Sequence, residues 1–155
     1  MCGIAGIIHF DGGPVPQGLV EGMCDTPRPR GPDDHGVVYF PMSASPSGGV
    51  AAALGNQRLS IIDVAGGYQP IGNEDGTIWA SFNGEIYNFV ELRERLIQEG
   101  HRFVTRSDTE VVVHAYEQWG DSFLCHLDGM FALAVWDSHN ERLLLCRDQI
   151  GRAHV

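Results

Sequence analysis

The chain opens on an apolar, small-residue run, Met1 to Phe10 (MCGIAGIIHF), which reads as a strand that begins at once. Asp11-Gly12-Gly13-Pro14 breaks it, and a short amphipathic piece from about Gln17 to Met23 predicts a helix that ends before Pro27 and Pro29. Gly36 to Phe40 and Val50 to Leu54 predict strands around a Ser/Pro/Gly loop at 41–49, the best candidate for a mobile surface segment. Arg58 to Val64 is a further strand-like run. Asn73-Glu74-Asp75-Gly76 predicts a turn, after which Thr77 to Phe82 resumes β structure. From Phe89 to Glu99 the period changes: Phe89, Leu92 and Leu96 recur at helical spacing, and Gly100 supplies the stop. Ser107-Asp108-Thr109-Glu110 is a capping-box pattern opening a second helix, which Gly120 ends. Met130 to Asp137 and Arg142 to Cys146 are the last strands, joined by a His139-Asn140-Glu141 turn. Phe131, Leu133 and Val135 alternate with Ala132, Ala134 and Trp136, so both faces are apolar, as in a strand lying between two layers.

Composition narrows the class. At 155 residues, 43% of them hydrophobic and 19% charged, the chain has material for one core. Twenty acidic against ten basic residues give a formal charge of −10, with no Lys/Arg cluster, which argues against nucleic acid as a partner. Cys2, Cys24, Cys125 and Cys146 form no CxxC pair, so neither a structural zinc site nor a disulfide framework is expected, and no metal is assigned. The absence of a roughly 20-residue apolar run and of a basic n-region predicts no membrane association and a cytoplasmic location.

Cys2 is the first candidate for chemistry. Removal of Met1, which small second residues permit, leaves Cys2 with a free α-amino group whose reference pKa of about 7.7–8.0 suits a base for its own thiol. A thiol is an intrinsically good nucleophile. By itself a Cys at this position is more simply read as a buried strand residue.

Six blocks in order change that reading. Met1-Cys2-Gly3-Ile4-Ala5-Gly6 resembles the opening of class II glutamine amidotransferases, of the N-terminal-nucleophile hydrolase superfamily. Arg30-Gly31-Pro32-Asp33-Asp34-His35-Gly36, Arg58-Leu59-Ser60-Ile61-Ile62-Asp63, Asn83-Gly84-Glu85-Ile86-Tyr87-Asn88 and Ser107-Asp108-Thr109-Glu110 are similar to the family's next four blocks. Gly129-Met130-Phe131-Ala132 through Trp136-Asp137, with Arg147-Asp148, resembles the sixth. The spellings resemble the glutaminase domain of glutamine-hydrolysing asparagine synthetases. The resemblance implies an α+β fold, a four-layer αββα sandwich of two antiparallel sheets flanked by helices.

It also implies roles. Cys2 attacks the side-chain amide of glutamine, and water releases glutamate from the thioester; the Asn83 side chain and the Gly84 N–H form the oxyanion hole. From the residues alone Asn83-Gly84 reads first as a hairpin turn. Arg58 matches the residue that grips the glutamine α-carboxylate, and Asp108 the residue that pairs with the α-ammonium, with Glu85 close by. Backbone groups of Leu59, Ile61 and Ile62 hold the rest. For Arg58 a surface salt bridge is the competing reading. For Asp108 it is a helix cap, a task that Ser107 already fits.

Two positions depart from the pattern: Asn56 stands where the family usually has His, and Pro29 where it usually has His before Arg30. The similarity spans residues 1–149, with the glutaminase domain expected to be C-terminally truncated and 150–155 expected to be a non-native tail. The implied partner is a synthetase domain, absent from these residues, which would activate aspartate with ATP and Mg and receive the ammonia. No phosphate-binding loop is present here, so this piece needs no cofactor of its own. Two alternatives stand: a related enzyme amidating another carboxylate, and a non-catalytic glutamine-sensing module. A homodimer is one option that the residues leave open.

Overall fold

The computed structural model describes residues 2–11, 13–40, 51–63 and 66–148. Among the described residues, seven strands and three α-helices follow in the order β1 (Gly3–His9), α1 (Leu19–Asp25), β2 (Asp34–Phe40), β3 (Ala51–Arg58), β4 (Ile71–Gly72), β5 (Ile78–Ile86), α2 (Phe89–Gln98), α3 (Asp108–Trp119), β6 (Gly129–Asp137) and β7 (Arg142–Arg147). The strands form two sheets, β1-β3-β2 and β4-β5-β6-β7, and every pairing is antiparallel.

Side-chain alternation sorts these elements into layers. On β3, Ala52 and Leu54 join Phe40, Ala134 and Trp136 in the seam between the sheets, where Phe40 stacks on Trp136 with ring centroids 5.4 Å apart. Ala53, one residue out of phase, packs outward with Val20 and Cys24 of α1. On β6 the division repeats: Ala134 and Trp136 enter the seam, whereas Leu133 and Val135 meet α2 and α3 through Leu92, Leu96, Val111, Val112 and Ala115. The result is α1, sheet, sheet, then α2 with α3: the four-layer αββα sandwich expected. The doubly apolar strand at 130–137 lies, as its composition demands, between the seam and the helices.

Element ends follow local chemistry. Ser107 caps α3 by accepting from Thr109 N–H at 3.2 Å. The reciprocal half of the capping box is not made, because Glu110 instead accepts from the main chain of Val104 and Thr105, each at 2.7 Å. Gly100 (φ 106°) and Gly120 (φ 54°) stop the two helices in the left-handed region.

Two expected boundaries are corrected. The strand placed at Val50–Leu54 runs on to Arg58, and the separate strand at Arg58–Val64 does not form: Leu59 to Asp63 is irregular, and Val64 is outside the described residues. Polar Asn56 and Gln57 disguised the continuation. The strand beginning near Thr77 extends to Ile86, so Asn83-Gly84 lies within a ladder, opposite Ala132 and Phe131, and is not a hairpin turn. The loop at 41–49 and the tail at 150–155 fall outside the described residues.

Candidate active site

Strand β1 starts one residue after Cys2, and its Gly3 pairs with Gln57, so Cys2 lies beside the end of β3. Leu59 N–H donates to Cys2 Sγ at 3.3 Å, holding the sulfur against the segment that leaves β3. Gly3 lets the Pro27 ring pack against the start of β1, since a Cβ there would lie 2.7 Å from it. Across the sandwich, Ser81 Oγ donates to Gly55 O of β3 at 3.1 Å, which shows the face of β5 that looks at the other sheet. Asn83, two residues on, shares that face.

Arg58 closes β3 and is 4% exposed. Its Nη2 donates to the carbonyls of Ile62 at 2.9 Å and Asp63 at 2.8 Å, curling the 59–63 segment around the guanidinium. The same segment is pinned at both ends from outside. Ser60 N–H donates to Asp33 Oδ2, and Arg106 N–H to Asp63 Oδ2, each at 2.8 Å. Asp108 opens α3 and is 5% exposed; its Oδ2 accepts from Ile86 N–H at 3.2 Å, joining the helix start to the end of β5. Burial raises its carboxyl above the ordinary aspartate value, against the opposing pull of the Ile86 and Thr109 N–H groups.

These elements enclose a cavity of about 510 Å³. Cys2, Asn83, Gly84, Arg58, Leu59, Ile61, Ile62, Glu85 and Asp108 all line it, so every residue expected to act on or hold the substrate meets in one place. Two of the main-chain groups expected to hold substrate are already engaged: Leu59 N–H by the Cys2 sulfur and Ile62 O by Arg58. Arg30, Gln69, Ser107, Thr109, Met130, Phe131, Ala132, Arg147 and Asp148 complete the lining without having been assigned a role. All but Gln69 stand inside the motif blocks. Gln69, between Tyr68 and Pro70, carries no sequence signal.

Gln69 links the cavity to the polar interior. Its Nε2 donates to Thr109 Oγ1 at 3.2 Å, and its Oε1 accepts from Phe82 N–H at 2.7 Å and from Asn56 Nδ2 at 3.1 Å. Asn56, fully buried, also approaches Ser81 Oγ at 3.0 Å and Phe82 O at 3.2 Å. Two amide hydrogens therefore serve three acceptors, while Asn56 Oδ1 has no partner. The lining carries three guanidinium groups (Arg30, Arg58, Arg147) and three carboxyl groups (Glu85, Asp108, Asp148), a balance suited to a small zwitterion beside a thiol.

The family described as glutamine amidotransferase domain matches residues 1–154. The chain belongs to that family. Among the relatives of this amidotransferase domain, asparagine synthetase [glutamine-hydrolyzing] 2 of Bacillus subtilis is 41% identical over 97% of this chain and 19% of its own length. Asparagine synthetase [glutamine-hydrolyzing] of Sandersonia aurantiaca is also 41% identical, over 97% of this chain and 27% of its own length. The amidotransferase domain thus spans about a fifth to a quarter of these relatives. Among solved structures, an allosteric regulatory enzyme of purine biosynthesis covers 64% of this chain and 24% of its own, at 25% identity and a TM-score of 0.53. The glutamine phosphoribosylpyrophosphate amidotransferase of B. subtilis, complexed with ADP and GMP, covers 94% of this chain and 31% of its own, at 23% identity and a TM-score of 0.52; it shares the fold.

Proposed function

We propose that this domain hydrolyses glutamine at Cys2 and that the ammonia serves asparagine formation in a longer protein. The observation that carries the reading is the convergence of Cys2, Asn83, Gly84, Arg58 and Asp108 on one cavity. With Met1 removed, the Cys2 amine takes the thiol proton and the sulfur attacks the side-chain carbonyl carbon of glutamine. Negative charge gathers on the carbonyl oxygen, where the Asn83 amide and the Gly84 N–H donate to it. The intermediate collapses to a γ-glutamyl thioester, and the leaving nitrogen departs as ammonia with the proton held by the amine. Water attacks the thioester and releases glutamate, returning the thiol. Arg58 holds the α-carboxylate and Asp108, with Glu85 beside it, the α-ammonium.

In the longer relatives' setting, a synthetase domain using ATP and Mg would activate aspartate and receive the ammonia; no residue of this chain is assigned to either. The similarity to glutamine-hydrolysing asparagine synthetases supports that acceptor. The test is covalent labelling. The Met-processed protein is incubated with a diazoketone analogue of glutamine and digested for mass spectrometry. A single adduct on Cys2, absent from Cys2→Ala, is expected. Saturable glutamine binding with neither adduct nor glutamate release would replace this reading with a glutamine-sensing module.

A further inference from the structure

On the outer helical layer, remote from the cavity lining, His101, His114 and Glu117 bring candidate metal donors within 4.8 Å of one another. The end of α2 delivers His101: its N–H donates to Leu96 O at 3.0 Å and Gly100 N–H to Ile97 O at 3.1 Å, a Schellman closure that turns the chain onto α3. His114 and Glu117 lie one turn apart on α3. Both imidazoles aim Nδ1 at the same oxygen, Glu117 Oε2, at 3.1 Å from His101 and 3.2 Å from His114. Asn73 Nδ2 holds the other Glu117 oxygen at 3.2 Å, and Glu74 Oε2 stands 4.0 Å from His114 Nδ1.

Proton placement makes this convergence informative. Gln118 Nε2 donates to Glu99 Oε2 at 2.8 Å, so its Oε1, 2.8 Å from His101 Nε2, is the accepting end. His101 therefore carries its hydrogen on Nε2, and a neutral ring presents a bare Nδ1 lone pair to a carboxylate oxygen. His114 brings its own Nδ1 to the same oxygen, while its buried Nε2 has no hydrogen-bond partner and stands 3.8 Å from Glu110 Oε1. The His101 lone pair facing a carboxylate at hydrogen-bond distance requires either a second proton on the ring or a cation between them. The two histidine-to-Glu117 separations, 3.1 and 3.2 Å, suit the cation. An ion holding tetrahedral donors about 2.0–2.1 Å away keeps them about 3.3 Å apart. Histidine ligands whose other N–H is directed to a carbonyl or carboxylate are the usual metal-site arrangement.

We propose that His101 Nδ1, His114 Nδ1 and Glu117 Oε2, with Glu74 Oε2 as fourth donor, bind one divalent transition-metal ion of the Zn²⁺ type. Two imidazoles and two carboxylates favour such an ion over Mg²⁺ or Ca²⁺, which prefer all-oxygen shells. Its role is structural. It ties the 73–77 turn and the end of α2 to α3, the helix whose first turn places Asp108 in the cavity.

Co²⁺ is the probe. Titrated into the metal-free protein, it should give one equivalent of binding and the visible absorption of a tetrahedral ion, without the ultraviolet band of a thiolate ligand. Zn²⁺ should displace it. The signal should persist in Cys2→Ser and vanish in His101→Ala. Gln118→Ala, at an exposed position that donates nothing to the ion, should weaken binding about 10- to 100-fold and keeps the test sharp if His101→Ala fails to fold. The inference is overturned if no tetrahedral spectrum appears, if Gln118→Ala binds as tightly as the parent, or if nitrogen NMR with saturating Zn²⁺ finds both nitrogens of each ring protonated.

Discussion

Gly84 approaches Met130 so closely across the β5–β6 ladder that a Cβ on it would lie 2.1 Å from the Met130 carbonyl oxygen. The neighbour is backbone, so a side chain can be admitted only by parting the two central strands of the sheet. Both residues line the cavity, which couples fold and chemistry at this point. Gly84→Ala should lower stability by about 1–3 kcal/mol, as overpacking does, and lose most glutaminase turnover. Thermal unfolding and steady-state kinetics on one preparation check it; a variant with unchanged Tm and activity would show the strands can part at no cost.

Asn83 should separate binding from chemistry. Its amide faces the cavity from a rigid strand, and its proposed partner oxygen gains charge only during reaction. Asn83→Ala is expected to cut kcat about 10²- to 10³-fold, with KM for glutamine changed far less.

Arg58 closes the 59–63 segment through Ile62 O and Asp63 O, and its proposed task is to grip the ligand as well. Arg58→Ala should raise KM for glutamine about 100-fold, and Arg58→Lys should recover little, since a point charge cannot reproduce the fork. An unchanged KM in Arg58→Ala would remove the carboxylate assignment.

Asp108 should set stability against binding. Its raised carboxyl keeps a proton in the folded chain that the unfolded chain has released. The unliganded protein therefore loses stability as pH rises from the ordinary aspartate range through the raised value. In the proposed role the ionised form pairs with ammonium, so glutamine affinity should fall as pH drops through that same value. Asp108→Asn should raise the Tm of the unliganded protein at neutral pH while weakening glutamine about 10- to 100-fold. It should also flatten the acid limb of KM. Calorimetry and a pH series of KM test the two halves separately.

Asn56 is buried between the sheets with Gln69, Ser81 and Phe82 as acceptors. Asn56→Ala strips a donor from all three and should cost about 1–3 kcal/mol of stability. Because Gln69 reaches both Asn56 and the cavity, KM should rise too; urea unfolding and kinetics are the measurements.

What could be read from the chain depended on where the polar groups go. The strand at 130–137 announced itself because both its faces are apolar, and the helix ends at Gly100 and Gly120 because a left-handed stop needs a residue without a side chain. Strand β3 was cut short because Gly55-Asn56-Gln57 look like a loop until their partners in the opposite sheet are known. Asn83-Gly84 likewise has the composition of a turn; only the register opposite Ala132 and Phe131 keeps it in a strand. Gln69 could not have been found at all, since its importance lies in contacts 13 and 40 residues away. The same holds for His101, whose place beside His114 is created by the turn at the end of α2.

Asp33 and Asp63 are not among the residues that line the cavity, yet each accepts a main-chain N–H that anchors the curl around Arg58. Folding has thus already arranged the wall that an incoming amino acid would otherwise have to organise on arrival. If the proposed site binds glutamine, part of its affinity should reside in two carboxylates that a map of ligand contacts would leave blank.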